Sequence, residues 1–402
     1  MNGTVVLCRH PLSQFSYAAE KDPVWLLCHE TKSQVRSVDS GVAPERIAVY
    51  PDYDRNSLVE YDAAGLIESA GIDRVVALSE VDVLRAAQLR DRFALPGPGT
   101  ATALKFRDKV LMKQELAQAG VAVPRFLPVE SGLELRAARE EYGFPFVVKP
   151  RLGGGSVGTR VLRNEAELRA LLAEGLRGRF FLPAHLEAEE FVEGSVYQID
   201  GLILGGRTRL RTVSWHRSEF LDFTAPAASR MIPQDGELAS LLAAFAERVL
   251  EVLGLTGTGL NSYFHLEAFD TPDGPVLCEV AARPGGLGIV DLLDAYFGVR
   301  TFERYLDAEL RGIVPTRDFE PGAALVGWMA VPRAAELAAI QAEVPAANRV
   351  GLRAYRTASP HAGPRISSVD FDGVVIVRAD SEAELDDVLD RAEKRVLEAE
   401  GV

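Results

Sequence analysis

Apolar and polar positions alternate regularly along the first hundred residues, and the pattern predicts an open α/β sheet. The segments Leu58–Ala70 and Val81–Phe93 have apolar residues at helical spacing. Four short apolar runs are typical of buried parallel strands and lie at Val5–Cys8, Val24–Cys28, Arg46–Tyr50 and Arg74–Ser79. Alternation of strands and helices favours a parallel sheet covered by helices. No G-x-G-x-x-G follows the first run, so a dinucleotide-binding domain is not expected.

Proline and glycine interrupt the pattern at Leu95–Ala103, which marks a domain boundary. A helix is predicted over Phe106–Ala119, with Gly120 at its C′ position. The capping box that begins at Asn164 predicts another helix over Glu165–Glu174. Four further strands are predicted at Glu189–Val192, Tyr197–Leu204, Ser262–Phe269 and Gly274–Arg283.

Two amphipathic helices are predicted in the second half of the chain. The first covers Glu237–Leu253 and has an apolar stripe formed by Leu238, Leu241, Leu242, Phe245, Val249 and Leu253. The last helix begins at the capping box Ser381–Glu384, and its charged residues are expected to form a solvated face.

Composition limits the class of protein. A length of 402 residues predicts two to four domains, and a 47% apolar and 25% charged composition is typical of a soluble globular protein. The net charge of −14 argues against nucleic acid or an anionic membrane as the main partner. The N-terminus lacks the pattern of a secretory signal, so a cytoplasmic location is expected. Three widely spaced cysteines without a C-x-x-C pair are interpreted as small buried hydrophobes.

A phosphate-binding loop is the clearest chemical feature. Lys149 ends an apolar strand run, and a glycine-rich loop follows it without the order of a P-loop. Glycines let the backbone approach a ligand closely, and hydroxyl groups add donors. A simple hairpin between two strands is the alternative interpretation. The loop residues are Gly153, Gly154, Gly155, Ser156, Val157, Gly158 and Thr159.

Two carboxylates interrupt neighbouring apolar strand runs. Antiparallel pairing around a tight turn would bring Glu267 and Glu279 side by side, and two such carboxylates repel unless a cation lies between them. Hard oxygen ligands suit Mg²⁺ that bridges phosphates. Arg283 follows at the same strand end, where a guanidinium can stabilise a transferred phosphoryl group or hold a carboxylate. In the alternative, one glutamate pairs with Arg283 and the other is solvated.

In this order, the motifs resemble those of the ATP-grasp superfamily over about Leu95–Gly298. The segments that carry the resemblance are Leu95–Gly97, Phe106–Lys109, Val147–Pro150 with the glycine loop, Glu189–Gly194, His265–Phe269 and Glu279–Gly286. The resemblance implies an α/β and α+β multidomain fold. A Rossmann-like pre-ATP-grasp domain would cover residues 1–100, and a two-lobed ATP-grasp fold would follow, with a lid at 101–191 and a central domain at 192–312. A C-terminal α+β subdomain would pack on it at 313–402.

The resemblance also implies a role for each matching residue. Lys109 and Lys149 would contact the α- and β-phosphates of ATP, and the loop Gly153–Gly158 would close over the β/γ end. The hinge Glu189, Glu190, Phe191 and Val192 would meet adenine through the backbone of Glu190 and Val192. Glu267 and Glu279 would hold Mg²⁺, for which Mn²⁺ can substitute, and Arg283 would stabilise phosphoryl transfer.

Two positions depart from the superfamily pattern. Ala281 stands where most members have a metal-binding Asn, and this version of the motif is similar to that of bacterial L-amino-acid ligases, which form dipeptides. Val196 stands where many relatives have a ribose-binding Glu, and Glu193 is the substitute that we expect.

The resemblance implies a ligase that phosphorylates a carboxylate and passes the acyl group to an amine. We therefore expect small-molecule carboxylate and amine partners, no nucleic acid and no membrane, while a homodimer is compatible with the sequence. A thiol acceptor, a carboxylase that phosphorylates bicarbonate and a non-catalytic ATP-binding module remain alternatives. The candidate substrate contacts are Glu80, Trp215, Arg217, His265, Gly285 and Gly286. For Glu80 a helix N-terminal acid, and for the Ser214–Glu219 run an exposed hairpin tip, are the competing interpretations.

Overall fold

The computed structural model describes residues 3–9, 17, 23–30, 40–176, 185–217, 226–331, 340, 343–354 and 371–400. These residues form three sheets with helices packed around them. Within these ranges, every helix is too short or too polar to cross a lipid bilayer. The end of the polar run Ser214–Glu219, at Ser218 and Glu219, lies outside the described residues.

The N-terminal sheet confirms the predicted parallel arrangement. Its strand order is β3-β2-β1-β4, and all neighbouring strands are parallel. Its strands and helices are β1 Gly3–Cys8, β2 Val24–His29, β3 Ile47–Tyr50, β4 Ile72–Ala77, α1 Leu58–Ala70 and α2 Glu80–Phe93. Helices α1 and α2 cover one face, while the other face packs against the central domain. Because the two domains share a core, the start of α2 is held next to the central sheet.

A second four-stranded sheet, ordered β5-β8-β6-β7, forms the region predicted as the lid. Its elements are α3 Thr100–Lys105, α4 Lys109–Gln118, β5 Phe126–Val129, α5 Gly132–Tyr142, β6 Phe146–Pro150, β7 Arg160–Leu162, α6 Glu165–Glu174 and β8 Leu186–Glu190. The single helix predicted over Phe106–Ala119 is wrong at its start. The Asp108 side chain accepts from the backbone N–H groups of Val110 and Leu111 and begins a new helix, α4. The strand predicted at Glu189–Val192 instead ends at Glu190.

The central sheet has eight strands in the order β13-β12-β9-β10-β11-β14-β16-β15. The strands are β9 Ser195–Leu204, β10 Arg207–His216, β11 Ala228–Met231, β12 Ser262–Thr271, β13 Gly274–Ala281, β14 Leu325–Val331, β15 Arg349–Ala354 and β16 Gly373–Ala379. Strand β14 pairs antiparallel with β11. The strands of the predicted C-terminal subdomain therefore extend the central sheet.

Helices cover both faces of the central sheet. They are α7 Glu237–Val252, α8 Ile289–Phe297, α9 Thr301–Arg311 and α10 Glu382–Glu400. Helix α7 packs on the face that carries Ile199 and Leu266. Helix α8 packs on the opposite face, where its Ile289 shares a core cluster with Trp328 of β14. One residue of the predicted α7 stripe, Leu241, is instead exposed.

Candidate active site

Glu267 and Glu279 lie directly opposite each other on the paired strands β12 and β13. The predicted juxtaposition is thereby confirmed, because directly paired residues of an antiparallel sheet share a face. Lys109 Nζ lies 3.1 Å from Glu279 Oε2. Burial alone would raise the pKa of Glu279, but the opposite effect of Lys109 and Lys149 is larger and lowers the pKa to about 2. Burial would also raise the pKa of Glu267, but the hydrogen bond with His265 lowers it below its ordinary value. Both carboxylates are therefore ionised, and Glu279 faces a cationic neighbour.

The glycine loop connects β6 to β7 next to this pair. Lys109 Nζ donates to the carbonyl oxygen of Gly153 at 2.8 Å, which joins the loop to the start of α4. Gly158 has a φ of +76°, and a Cβ there would lie 3.1 Å from Pro150 Cγ, so the position requires glycine. Val157 is exposed in the same loop. The loop thus presents backbone beside Lys109, as a phosphate site requires.

Lys149 belongs to a buried quartet of two lysines and two glutamates. Its Nζ lies 2.6 Å from Glu189 Oε1, and Lys113 Nζ lies 2.7 Å from both Glu187 and Glu189. Burial would lower the pKa of Lys149, but Glu189 and Glu187 raise it above its ordinary value. The Glu189 side chain thus fixes a lysine expected to bind phosphate.

Arg283 and Arg107 share the carboxylate of Glu80. Nε of Arg283 and one terminal nitrogen of Arg107 donate to its two oxygens. Arg107 also donates to the carbonyl oxygen of Leu152 at 3.0 Å, in the glycine loop. Glu80 begins α2, just beyond the carboxyl end of β4, where ligands of open α/β sheets bind. Neither Glu267 nor Glu279 pairs with Arg283, so that alternative is wrong within the described residues.

His265 is brought to the same face, between two carboxylates. Its Nδ1 lies 2.8 Å from Asp200 Oδ1, and its Nε2 lies 3.4 Å from Glu267 Oε1. Burial would lower the pKa of His265, but Asp200 raises it by more, to about 10. Gly285 stands over Asp200, because a Cβ there would lie 2.8 Å from Asp200 Oδ1. The neighbouring Gly286 precedes α8 and accepts a backbone hydrogen bond from Ile289.

The predicted adenine hinge, Glu189–Val192, begins in the last two residues of β8. The backbone N–H of Glu190 donates to the carbonyl oxygen of Arg125 at 3.0 Å, so this N–H is not available to an adenine edge. The Glu190 side chain also accepts from Arg125 Nε at 2.7 Å. Phe191 and Glu193 are exposed, and Val192 is half-buried. The contacts of these residues with adenine and ribose remain predictions.

Two predicted substrate contacts, Trp215 and Arg217, are corrected. Ser214 pairs with Gln198, which pairs with Glu267, so Trp215 points to the opposite face of the sheet. Both nitrogens at the end of Arg217 bond carboxylates of α10. The Asp390 carboxylate is exposed, as predicted for the charged face of α10, whereas Asp386 is half-buried and also accepts from Arg230.

Sequence patterns alone missed several residues of this region. Lys113 and Glu187 are fully buried, and the only signal in the sequence was a charged residue on the inward side of a helix or strand. Asp200 and Gln198 alternate with apolar residues in β9, which is the signal of polar residues on one face of a strand. Arg107 directly precedes the residue that caps α4, and its position gave no signal.

The side chains present fit a magnesium ion. Glu267 and Glu279 supply hard carboxylate oxygens on one face, and Lys109 leaves part of the Glu279 carboxylate available. Within the described ranges, no group of three or more His, Cys, Asp or Glu residues is placed to hold a metal. Phosphate oxygens and water would therefore complete the coordination.

Residues 114–297 match the family model of the ATP-grasp domain. Over these residues the chain is similar to an ATP-grasp domain, and the described residues have a mixed α/β architecture. It is similar to the L-arginine-specific L-amino acid ligase of Bacillus subtilis, with 26% identity over 272 residues, which cover 66% of this chain and 64% of that protein. It is also similar to the D-alanine–D-alanine ligase of Laribacter hongkongensis, with 29% identity over 54% of this chain and 71% of that protein. The match thus spans slightly less than two thirds of the first relative.

Solved structures support the same fold over nearly the whole chain. The L-amino acid ligase of Bacillus licheniformis superposes with a TM-score of 0.76 at 17% identity and 98% coverage of both chains. The N5-carboxyaminoimidazole ribonucleotide synthetase of Thermotoga maritima gives a TM-score of 0.67 at 18% identity, again with 98% coverage of both. At such identities the likeness establishes the fold alone.

Proposed function

We propose that this protein is an ATP-dependent carboxylate–amine ligase. It would form an amide or peptide bond between amino-acid-like small molecules and release ADP and phosphate. The observation that carries the proposal is the cross-strand pair Glu267–Glu279, with Lys109 on one side and Arg283 at the end of the same strand. Relatives named as L-amino acid and D-alanine–D-alanine ligases support it.

The chain's own residues would position and neutralise the reacting groups. Lys109 and Lys149 would offset phosphate charge, and Glu267 with Glu279 would hold Mg²⁺ or Mn²⁺. When bound there, the ion would supply Lewis-acid neutralisation of phosphate charge. Arg283 would donate to the oxygens of the transferred phosphoryl group, and closure of the glycine loop would exclude water from the product of transfer.

The bond changes follow from this arrangement. An oxygen of the substrate carboxylate would form a bond to the γ-phosphorus while the bond to the bridging oxygen of ADP breaks. The amine nitrogen would then form a bond to the acyl carbon, the bond from carbon to the phosphate oxygen would break, and the nitrogen would lose a proton. No protein nucleophile is required, so positioning and electrostatics would supply the rate enhancement.

A phosphate-release screen of amino-acid pairs and other carboxylates tests the proposal. ADP and phosphate are expected only when a suitable carboxylate and acceptor are both supplied, and hydroxylamine should trap the acyl group as a hydroxamate. AMP and pyrophosphate as products would contradict the mechanism. Turnover with thiols but not amines would identify a thioester ligase, and bicarbonate-dependent release would identify a carboxylase. Binding of ATP without turnover by any pair would identify a non-catalytic module.

We further infer that the protein acts in the cytoplasm on small molecules, with neither nucleic acid nor a membrane as partner. The acidic net charge supports this inference. A homodimer remains a prediction, which the molecular mass in solution would test.

A further inference from the structure

Four polar side chains lie together on the buried face of the central sheet, next to the Glu267–Glu279 pair. Gln198 and Asp200 come from β9, and Thr212 and Ser214 come from β10; each is at most 4% exposed. Thr212 is directly opposite Asp200, and Ser214 is directly opposite Gln198. Directly paired residues share a face, so these four side chains form one surface, here named the polar patch.

Two atoms of the polar patch have no hydrogen-bond partner in the described part of the chain. They are Oε1 of Gln198 and Oγ1 of Thr212. The amide nitrogen of Gln198 lies 3.5 Å from Glu267 Oε1, which turns its carbonyl oxygen away from that carboxylate. Buried polar atoms in folded proteins nearly always have a partner, because an unpaired one costs free energy. Two diagonal neighbours without a partner, on the face of the sheet that also carries Glu267, therefore point to a ligand.

The polar patch lies next to the candidate catalytic arginine. Gly285, two residues after Arg283, stands over the patch so closely that a Cβ there would lie 2.8 Å from Asp200 Oδ1. Gln198 is directly opposite Glu267 on the next strand. A group bound on the patch would therefore belong to a molecule whose reacting end is close to Arg283 and the metal site.

We propose that Gln198 and Thr212 form a subsite for the uncharged polar group, a carboxamide or a hydroxyl, of one substrate of the ligase; the proposal rests on the function proposed above. The two free atoms are an uncharged acceptor and a hydroxyl that both donates and accepts, which together match such a group. An anionic group would meet the carboxylates of Asp200 and Glu267. An aliphatic side chain would leave both atoms unpaired, and a site built for hydrogen bonds rejects such analogues strongly.

Substrate pairs of equal shape test the subsite in the full-length protein. Phosphate release is measured with threonine against valine and with asparagine against leucine, in each substrate position. The wild type should prefer the polar member by at least about tenfold in kcat/KM in one position. Thr212→Val should reduce that preference at least about tenfold, whereas Thr212→Ser, which keeps the hydroxyl, should retain most of it.

Thr208→Val is the matched control. Thr208 is on the same strand and its hydroxyl also has no partner among the described residues, but it pairs with Ile203 on the face covered by α7. This variant should keep the wild-type preference. Equal preferences in Thr212→Val and Thr208→Val, or a wild type that does not favour the polar member of either pair, would overturn the subsite while the ligase function stands. If no carboxylate–amine pair supports phosphate release by the wild type, the proposed function itself is contradicted.

Discussion

The carboxylate of Glu80, next to the N-terminal sheet, accepts a hydrogen bond from Nε of Arg283, two residues after strand β13 of the central sheet. Burial would raise the pKa of Glu80, but Arg283 and Arg107 lower it below its ordinary value. The ion pair therefore persists at neutral pH and holds the guanidinium beside the metal site. Two domains with separate sheets thus jointly determine the position of one arginine.

Replacement of Arg283 by alanine should lower kcat by about 10²–10³-fold, because a donor directed at the developing charge of the transition state is lost. ATP affinity, measured by calorimetry, should change less than about threefold, since Lys109 and Lys149 remain. The control is Arg248→Ala, which replaces an exposed arginine of α7. Its kcat and ATP affinity should equal those of the wild type. Unchanged turnover in Arg283→Ala would remove this residue from the catalytic machinery.

Glu279→Gln should weaken the metal site, because one of two paired carboxylates becomes neutral. The Mg²⁺ concentration for half-maximal turnover at fixed ATP should rise at least about tenfold. Glu251→Gln, on the exposed side of α7, serves as the matched control. Identical Mg²⁺ titrations of Glu279→Gln and the wild type would show that the pair does not hold the metal.

Lys113→Met should destabilise the protein by about 3–5 kcal/mol, because it leaves Glu187 and Glu189 buried with one cation fewer. Lys113 is fully buried, and its Nζ lies 2.7 Å from an oxygen of each glutamate. Chemical denaturation measures the free energy of unfolding. In the control Lys105→Met, the lost ion pair with Glu115 is partly exposed, and the change should stay below about 1 kcal/mol. Equal effects of the two substitutions would contradict the role of the buried quartet.

Asp82 should make stability decrease between pH 4 and pH 7. Burial raises its pKa to about 6, above the ordinary 3.8, although hydrogen bonds from Ser79 and Tyr53 oppose the shift. The folded state therefore holds the proton more tightly, so this stabilisation is complete below pH 3.8 and is lost as the pH rises through about 6. Between pH 4 and pH 7 the free energy of unfolding of the wild type should fall by about 2 kcal/mol relative to that of Asp82→Asn.

The comparison requires unfolding free energies at several pH values. A matched substitution at an exposed carboxylate, Asp387→Asn on α10, should give a curve parallel to that of the wild type. A parallel curve for Asp82→Asn as well would contradict the raised pKa.

Local patterns were sufficient for much of the fold. The helix over Leu58–Ala70 has the predicted bounds, because apolar spacing and the terminal Gly71 in a left-handed conformation both act locally. Asn164 caps α6 as predicted, since its side chain accepts from the N–H of Glu167 three residues later. The short turn between the two strands predicted that Glu267 and Glu279 lie close together. Their direct pairing also depends on a β-bulge between Glu267 and Ala268, without which Glu267 would face Cys278.

Contacts between distant segments could not be predicted in the same way. Helix spacing did not reveal that Arg107 and Arg283 meet on Glu80, because the three residues are far apart in the sequence. The face of Trp215 depends on the register of β9 with β10, which the sequence of β10 alone does not determine. The junction of β14 with β11 joins segments almost a hundred residues apart, and no local signal records it.

Transfer of oxygen from the substrate carboxylate to phosphate tests the central claim most directly. A carboxylate substrate labelled with ¹⁸O is incubated with the protein, MgATP and the acceptor amine, and the released phosphate is analysed by mass spectrometry. If the carboxylate is phosphorylated and the amine then displaces phosphate, each phosphate molecule should carry one ¹⁸O from the substrate, and ADP should form in equal amount. Unlabelled phosphate, or AMP with pyrophosphate, would contradict the acyl-phosphate ligase proposed for this protein.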